Sequence, residues 1–221
     1  GPDAGPGTPE FDLFVKEIRK EMTVKAGQKC TAVRRILVPE PHIDAFQESL
    51  IAQLSKTVIG DPSAEGVRMG SLVGCSQRDD VIAQVSKLSS ESDIVFGSTS
   101  NSDLSLVGAS SEVGTFMSPI LLRVKESSNA VNVHEIEAFG PVSSLMSYNK
   151  VEEAVALSKK GKGSPKHSLS FEGGSYKTFK QSIRSSGAIN KFDYSLSTSL
   201  LKTSGFSALN ERSGGSEEDG H

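Results

Sequence analysis

The chain has 221 residues, which is enough for one large domain or two small ones with a sizeable buried core. A formal net charge of -3, few aromatic residues and no tryptophan give no basis for binding nucleic acid or an anionic membrane surface. No apolar run reaches the length of a membrane span, and the amino-terminal residues lack the pattern of a signal peptide. Two cysteines without a C-x-x-C spacing indicate a reduced environment, so we expect a cytoplasmic protein.

Helical and strand patterns alternate along the chain. The first predicted elements are a loop over residues 1–7, a helix from 8 towards 27, a strand over 34–39, a helix over 41–56, a turn at 60–62, a helix over 79–88 and a strand over 94–96. The later ones are a polar loop or hairpin over 98–112, an extended segment over 116–124, a strand over 142–148, a helix over 151–160, and a strand–helix–strand set over 168–171, 177–184 and 188–192. This order predicts an α/β fold.

The first helix has clear start and stop signals. Thr8 offers a capping hydroxyl, Pro9 suits the first turn, and Gly27 is a plausible stop. Its apolar residues recur at helical spacing and should face the core; they are Phe11, Phe14, Val15, Ile18 and Met22. Cys30 is therefore predicted on a loop just after this helix.

Cys30 has cationic neighbours in the sequence, which are Lys25, Lys29, Arg34 and Arg35. Nearby positive charge favours the thiolate, the reactive form of cysteine, so Cys30 is a candidate nucleophile. The alternative is an inert, partly buried cysteine, as most lone cysteines are. Cys75 lies in no comparable motif, and we expect it to be packed and unreactive. The four histidines show no metal-ligand spacing, so no metal site is expected, and His134 is expected to be structural.

Four segments carry recognisable motifs in a fixed order. Residues 27–34 read Gly-Gln-Lys-Cys-Thr-Ala-Val-Arg, and residues 58–73 contain Val-Ile-Gly-Asp-Pro and Met-Gly-Ser-Leu. Residues 114–122 read Gly-Thr-Phe-Met-Ser-Pro-Ile-Leu-Leu, and residues 135–142 read Glu-Ile-Glu-Ala-Phe-Gly-Pro-Val. In this order they resemble the aldehyde dehydrogenase superfamily, although Ser71 stands where the family has proline. The residues around Cys30 are most similar to the semialdehyde dehydrogenases of CoA-dependent phenylacetate and benzoate catabolism.

The resemblance implies a three-layer catalytic domain with a central, mainly parallel sheet, here expected over residues 1–195. A Ser/Gly-rich tail, whose composition is typical of mobile segments, is expected over 196–221. The resemblance also implies that Cys30 attacks an aldehyde, passing through a thiohemiacetal and a thioester. Glu137 matches the acid that binds the nicotinamide-ribose hydroxyls, and Phe139 would pack beside the nicotinamide of NAD or NADP. Gln28 and Thr31 are interpreted as loop-shaping residues.

In this family a cofactor-binding domain precedes the cysteine domain and supplies a glutamate base and an oxyanion-hole asparagine. Only 29 residues precede Cys30, and the first is not methionine. We therefore expect a fragment or processed form. The resemblance also implies a homo-oligomer. Two other hypotheses stay open: a non-catalytic remnant acting as an oligomerisation or interaction module, and a cysteine acyl-transfer enzyme without nicotinamide, which no histidine is placed to assist. Neither the aldehyde nor the choice between NAD and NADP can be read from the sequence.

Overall fold

The computed structural model describes residues 3–100, 104–160, 166–174, 178–189 and 192–202. These residues belong to two compact units, residues 1–160 and residues 161–221. The helices of the first unit are α1 (Pro9–Thr23), α2 (Ile43–Leu54), α3 (Cys75–Leu88), α4 (Asn132–Glu135) and α5 (Val151–Lys159). Its strands are β1 (Arg35–Pro39), β2 (Ile59–Gly60), β3 (Ser92–Phe96), β4 (Leu106–Val107), β5 (Ile120–Val124) and β6 (Val142–Tyr148).

A four-stranded sheet organises the first unit. Its strand order is β1-β6-β5-β3, with β1, β6 and β5 parallel and β3 antiparallel to β5. Buried side chains alternate between its faces because successive residues of a strand point to opposite sides. Leu121 and Leu145 pack with α1 and α2, whereas Ile120, Leu122 and Met146 pack with α3. Helices therefore cover both faces, as the predicted three-layer α/β fold requires.

The two amino-terminal helices form because their capping and apolar patterns agree. The hydroxyl of Thr8 accepts a hydrogen bond from the Phe11 N–H at 3.3 Å, and Pro9 occupies the first turn of α1. In α2 the residues predicted to face inward are all buried; they are Ile43, Phe46, Leu50 and Leu54. Ile36 and Val38 on one side of β1 join the same core. These predictions are confirmed, except for Phe14 of α1, which is 40% exposed. Its ring packs on the outside of Phe46, with ring centres 5.0 Å apart, and so covers the edge of this core instead of entering it.

Some predicted elements of the first unit need correction. Helix α3 begins at Cys75, four residues before the predicted start, and Gly74 is its N-cap. The segment predicted as a loop or hairpin over 98–112 contains β4, which pairs in parallel with β2. A two-residue parallel pair has no local sequence signal, because its partner comes from a distant part of the chain. Helix α4 is a single turn that the sequence did not predict.

The described residues of the second unit form three antiparallel strands: β7 (Lys166–Gly174), β8 (Thr178–Ile189) and β9 (Phe192–Lys202). The helix predicted over 177–184 is wrong for residues 178–184, which the structure describes, because Thr178–Ile189 is a strand. Phe179 and Ile183 are four apart, a spacing that fits one face of a helix and one face of a strand equally well. Pairing of this segment with β7 and β9 decides for the strand. The single strand predicted over 188–192 is also wrong, because β8 ends at Ile189 and β9 starts at Phe192.

The domain boundary predicted at residue 195 falls inside β9, which continues to Lys202. Residues 203–221, the greater part of the predicted tail, lie outside the described residues. The division into residues 1–195 and 196–221 stays a prediction.

Candidate active site

A left-handed turn connects α1 to the segment that carries Cys30. Lys25, Ala26 and Gly27 have φ angles of 53°, 49° and 67°. Each non-glycine residue in this conformation costs about 1–2 kcal/mol. Ala26 is fully buried in the core that includes α3, and this burial offsets the strain. The helix itself ends at Thr23, so Gly27 ends the turn rather than the helix.

Cys30 lies at the surface, in a short turn immediately after this strained segment. The Ala32 N–H donates to the Lys29 carbonyl at 3.2 Å and closes the turn around Cys30. The side-chain oxygen of Gln28 accepts a hydrogen bond from the Val73 N–H at 2.9 Å, which fixes the turn to the Met-Gly-Ser-Leu segment. The loop-shaping role predicted for Gln28 agrees with this contact. The thiol is accessible to a substrate from solvent.

The backbone of residues 27–34, here called the Cys30 segment, lies directly against residues 135–142, here called the Glu137 motif. Gly27 is so close to Gly140 that a Cβ added to Gly27 would overlap the Gly140 carbonyl oxygen and crowd Pro141. Gly27 is three residues before Cys30, and Gly140 is three residues after Glu137. The structure therefore brings together the two motifs that the sequence singled out, across more than a hundred residues of chain.

Arg34 contacts both segments. Its Nη1 donates to the Gly140 carbonyl at 2.6 Å, and its Nη2 donates to the Gly27 carbonyl at 2.8 Å. Its Nε lies 3.7 Å from Oε1 of Glu137, an ion-pair distance that is too long for a hydrogen bond. Its Cζ is 5.5 Å from the centre of the Phe139 ring, within the range of a cation–π contact. The sequence identified Arg34 only as part of the signature and as a nearby positive charge.

Glu137 and Phe139 remain available to a ligand. The side chain of Glu137 is 57% exposed, whereas that of Arg34 is 18% exposed. Phe139 is half-buried, and its neighbours Ala138 and Gly140 are buried. Burial lowers the pKa of the Arg34 guanidinium, and the adjacent Glu137 carboxylate opposes this shift. An exposed carboxylate beside an aromatic ring can accept hydrogen bonds from two hydroxyls while a flat group packs on the ring.

The other cations near Cys30 in sequence have partners of their own. Lys29 pairs with Glu21 at 2.7 Å. Arg35 donates to the carbonyls of Leu157 and Lys160, both at 3.0 Å, at the end of α5. The basic environment expected around the Cys30 thiol is therefore partly neutralised or directed elsewhere, and its effect on that thiol stays a prediction.

His134, on α4, belongs to a polar cluster with Arg35, Lys160 and Glu91 rather than to the Cys30 site. Its Nδ1 lies 2.6 Å from Nη1 of Arg35. Burial, and then the positive charges of Arg35 and Lys160, lower the pKa of His134 to about 4, against a weaker opposing effect of Glu91. His134 is therefore neutral near pH 7 and accepts from Arg35 through Nδ1. These contacts support the structural role predicted for it.

Cys75 differs from its prediction. It is exposed rather than packed, at the first residue of α3, and its Sγ lies 3.4 Å from the Thr115 hydroxyl. Both cysteines are therefore open to solvent, and any test of Cys30 must distinguish it from Cys75.

Comparison with known proteins identifies the origin of these motifs. The model of the aldehyde dehydrogenase family matches residues 8–162. The chain belongs to this family. It is 44% identical over 164 residues to a 3,4-dehydroadipyl-CoA semialdehyde dehydrogenase from Aromatoleum evansii, a match that covers 74% of this chain and 32% of the relative.

Solved structures of the family agree with the fold. The chain matches a gamma-glutamyl-gamma-aminobutyraldehyde dehydrogenase from Burkholderia cenocepacia with a TM-score of 0.60 and 28% identity, covering 71% of this chain and 30% of that one. It matches an NAD-dependent aldehyde dehydrogenase from Sinorhizobium meliloti with a TM-score of 0.60 and 25% identity, and this match covers 68% of this chain and 28% of that one. The chain therefore spans about a third of the length of these family members.

Neither a membrane-spanning helix nor a metal-binding cluster is found among the described residues of this aldehyde dehydrogenase chain. None of its helices there has the length and apolar character needed to cross a membrane. Its described residues include no group of three or more His, Cys, Asp or Glu side chains suited to a metal ion. The predicted cytoplasmic location and homo-oligomeric state stay predictions.

Proposed function

We propose that this chain carries the nucleophile and the ribose-binding acid of an NAD(P)-dependent aldehyde dehydrogenase. The observation that supports this most strongly is the contact between Gly27 and Gly140, which places the Cys30 segment against the Glu137 motif. A reaction in which a thiol-bound substrate gives up hydride requires the nucleophile and the cofactor site to be neighbours.

The exposed Glu137 carboxylate and the half-buried Phe139 ring fit the ribose and nicotinamide of such a cofactor. Glu137 would accept hydrogen bonds from the two ribose hydroxyls, and Phe139 would pack beside the ring. When bound, NAD or NADP supplies the hydride acceptor of the reaction.

Cys30 would act on the aldehyde itself. Its thiolate adds to the carbonyl carbon and forms a tetrahedral thiohemiacetal, whose oxyanion is stabilised by the Cys30 backbone N–H. Loss of hydride from that carbon leaves a thioester on Cys30. Water then adds to the thioester carbonyl, the carbon–sulfur bond breaks, and the carboxylic acid leaves as the thiolate is restored. The resemblance assigns activation of this water, and a second oxyanion donor, to residues of the family's cofactor-binding domain.

The substrate class we propose is a CoA-linked semialdehyde. This rests on the 44% identity with the Aromatoleum evansii relative and on the similarity around Cys30. A substrate of this class also agrees with a role in aromatic catabolism, which the resemblance around Cys30 implies.

The proposal is tested by measuring reduction of NAD and NADP with aldehydes of this class. The chain is assayed alone and joined to the segment that precedes the matched region in the Aromatoleum evansii relative. Cofactor reduction by the joined protein that Cys30→Ser abolishes and Cys75→Ser leaves intact supports the proposal. A folded joined protein that reduces neither cofactor contradicts it and favours the non-catalytic remnant.

A further inference from the structure

The contacts of Arg34 are spread over three separate groups of the protein. Each of its three guanidinium nitrogens faces a different backbone or side-chain group: the Gly27 carbonyl, the Gly140 carbonyl and the Glu137 carboxylate. Two of these groups are 106 and 7 residues away in sequence. The side chain is only 18% exposed, so these contacts are shielded from water.

The three contacts fall on the two proposed functional segments and not on one of them alone. The Gly27 carbonyl belongs to the left-handed turn that precedes Cys30, where Lys25 and Ala26 hold strained φ angles. The Gly140 carbonyl follows Phe139, whose ring lies under the guanidinium. A planar guanidinium can hold two carbonyls at fixed directions, which a lysine ammonium cannot do.

The Nε–H of Arg34 is the part of this arrangement that has no hydrogen bond. This atom is buried and has no hydrogen-bond partner among the described residues, and Oε1 of Glu137 lies 3.7 Å away. A buried donor this close to a carboxylate limits the positions that the carboxylate can occupy. Oε1 of Glu137 is thereby directed towards Arg34, while the Glu137 side chain as a whole stays 57% exposed.

We infer that Arg34 is a positioning residue that sets the Cys30 turn and the Glu137 carboxylate relative to each other. This rests on the roles proposed above for Cys30 and Glu137. Through its contacts with the Gly27 and Gly140 carbonyls Arg34 ties the Cys30 segment to the Glu137 motif, and through its charge it orients the Glu137 carboxylate. Because one side chain serves both, loss of Arg34 should disturb binding of the cofactor and the chemical step together.

Two substitutions of Arg34 separate its effect on the Cys30 turn from its effect on the Glu137 carboxylate. Arg34→Ala removes all the contacts, whereas Arg34→Lys keeps a positive charge near Glu137 but cannot hold both carbonyls. In the joined protein we expect Arg34→Ala to raise the KM for the cofactor about tenfold and to lower kcat at least tenfold, the size of effect that loss of charge-assisted hydrogen bonds produces. Arg34→Lys should restore most of the KM and little of kcat.

Hydrogen–deuterium exchange on the chain itself provides a readout that does not depend on turnover. Arg34→Ala should speed exchange in residues 25–32 and 138–142 together. Arg35→Ala is the matched control: it removes the neighbouring arginine, whose contacts lie at Leu157, Lys160 and His134, and should speed exchange near the end of α5 instead.

The outcomes distinguish the inference from the proposed function. Joint loosening of both segments, with the KM recovered by lysine, supports positioning by Arg34. Unchanged exchange in either segment overturns it, even in an active enzyme. If the joined protein has no activity with any aldehyde, the proposed function fails, and the exchange pattern alone still decides whether Arg34 couples the two segments.

Discussion

The Cα of Gly27 lies against the carbonyl oxygen of Gly140, with no room for a methyl group between them. This contact explains why a glycine stands three residues before Cys30, beyond its positive φ of 67°. The same carbonyl oxygen accepts a hydrogen bond from Arg34 at 2.6 Å, so the approach of the two backbones and the arginine contact depend on each other.

Gly27→Ala should therefore do more than strain a turn. The left-handed conformation costs an alanine about 1 kcal/mol. Separating the two backbones would add to this, for a total loss of roughly 2–4 kcal/mol in the free energy of unfolding. The measurement is urea unfolding monitored by circular dichroism.

Gly66→Ala provides the control for that change. Gly66 also has a positive φ, of 83°, but an added Cβ would meet no atom within 4 Å. It should lose only the roughly 1 kcal/mol that comes from the backbone conformation. Equal losses in the two variants would show that the contact with Gly140 contributes nothing to stability.

Glu137→Gln should weaken cofactor binding in the protein joined to a cofactor-binding segment. Replacing a charged acceptor by an amide removes charge-assisted hydrogen bonds worth about 1.5–3 kcal/mol, or roughly 10- to 100-fold in the KM for NAD(P). Steady-state kinetics at saturating aldehyde measures this. Glu135→Gln changes the neighbouring exposed acid and should leave the KM within about twofold; an equal effect of both would contradict the assignment to Glu137.

Alkylation provides a direct comparison of the two exposed thiols. We expect iodoacetamide to modify Cys30 several times faster than Cys75, with each site followed by mass spectrometry of its own peptide. Because Cys75 is exposed as Cys30 is, a difference in rate between the two cannot come from burial of the reference thiol. A faster reaction at Cys75 would argue against an activated nucleophile at Cys30.

The sequence was most informative where local pattern and burial coincide. Ile36 and Val38, or the four inward residues of α2, could be predicted because period and polarity agreed over the whole element. The strand over 178–189 could not, since Phe179 and Ile183 fit both periodicities. Only pairing with two other strands distinguishes them, and that pairing is non-local.

The candidate site shows the same limit. Cys30 and Glu137 could be proposed from motifs, because each motif is contiguous in the sequence. Their approach through Gly27, Gly140 and Arg34 could not be predicted, because a contact across 106 residues leaves no local pattern. The positive φ angles of Lys25 and Ala26 could not be predicted from the sequence either, since neither residue type favours that conformation.

His134 should make the stability of the chain depend on pH. Its pKa is about 4 in the folded protein and near 6.5 when unfolded. Above pH 6.5 the imidazole is neutral in both states and contributes no pH dependence. As the pH falls from 6.5 towards 4, the unfolded chain binds a proton that the folded chain does not, so the free energy of unfolding decreases. Below about pH 4 both states are protonated, and the loss levels off.

His134→Gln removes this titration and should unfold with a smaller pH dependence than the parent between pH 6.5 and about 4.5. The pKa values of Asp61 and Glu91 are lowered in the folded protein from ordinary values of 3.8 and 4.5, so the pH dependence that these carboxylates contribute falls mainly below that lower limit. Urea unfolding at closely spaced pH values measures the difference, with pH 7.5 as the common baseline because the histidine is neutral there in both states. Parallel curves for the two proteins would mean that burial and the Arg35 guanidinium, 2.6 Å from Nδ1, do not keep His134 unprotonated in the folded protein.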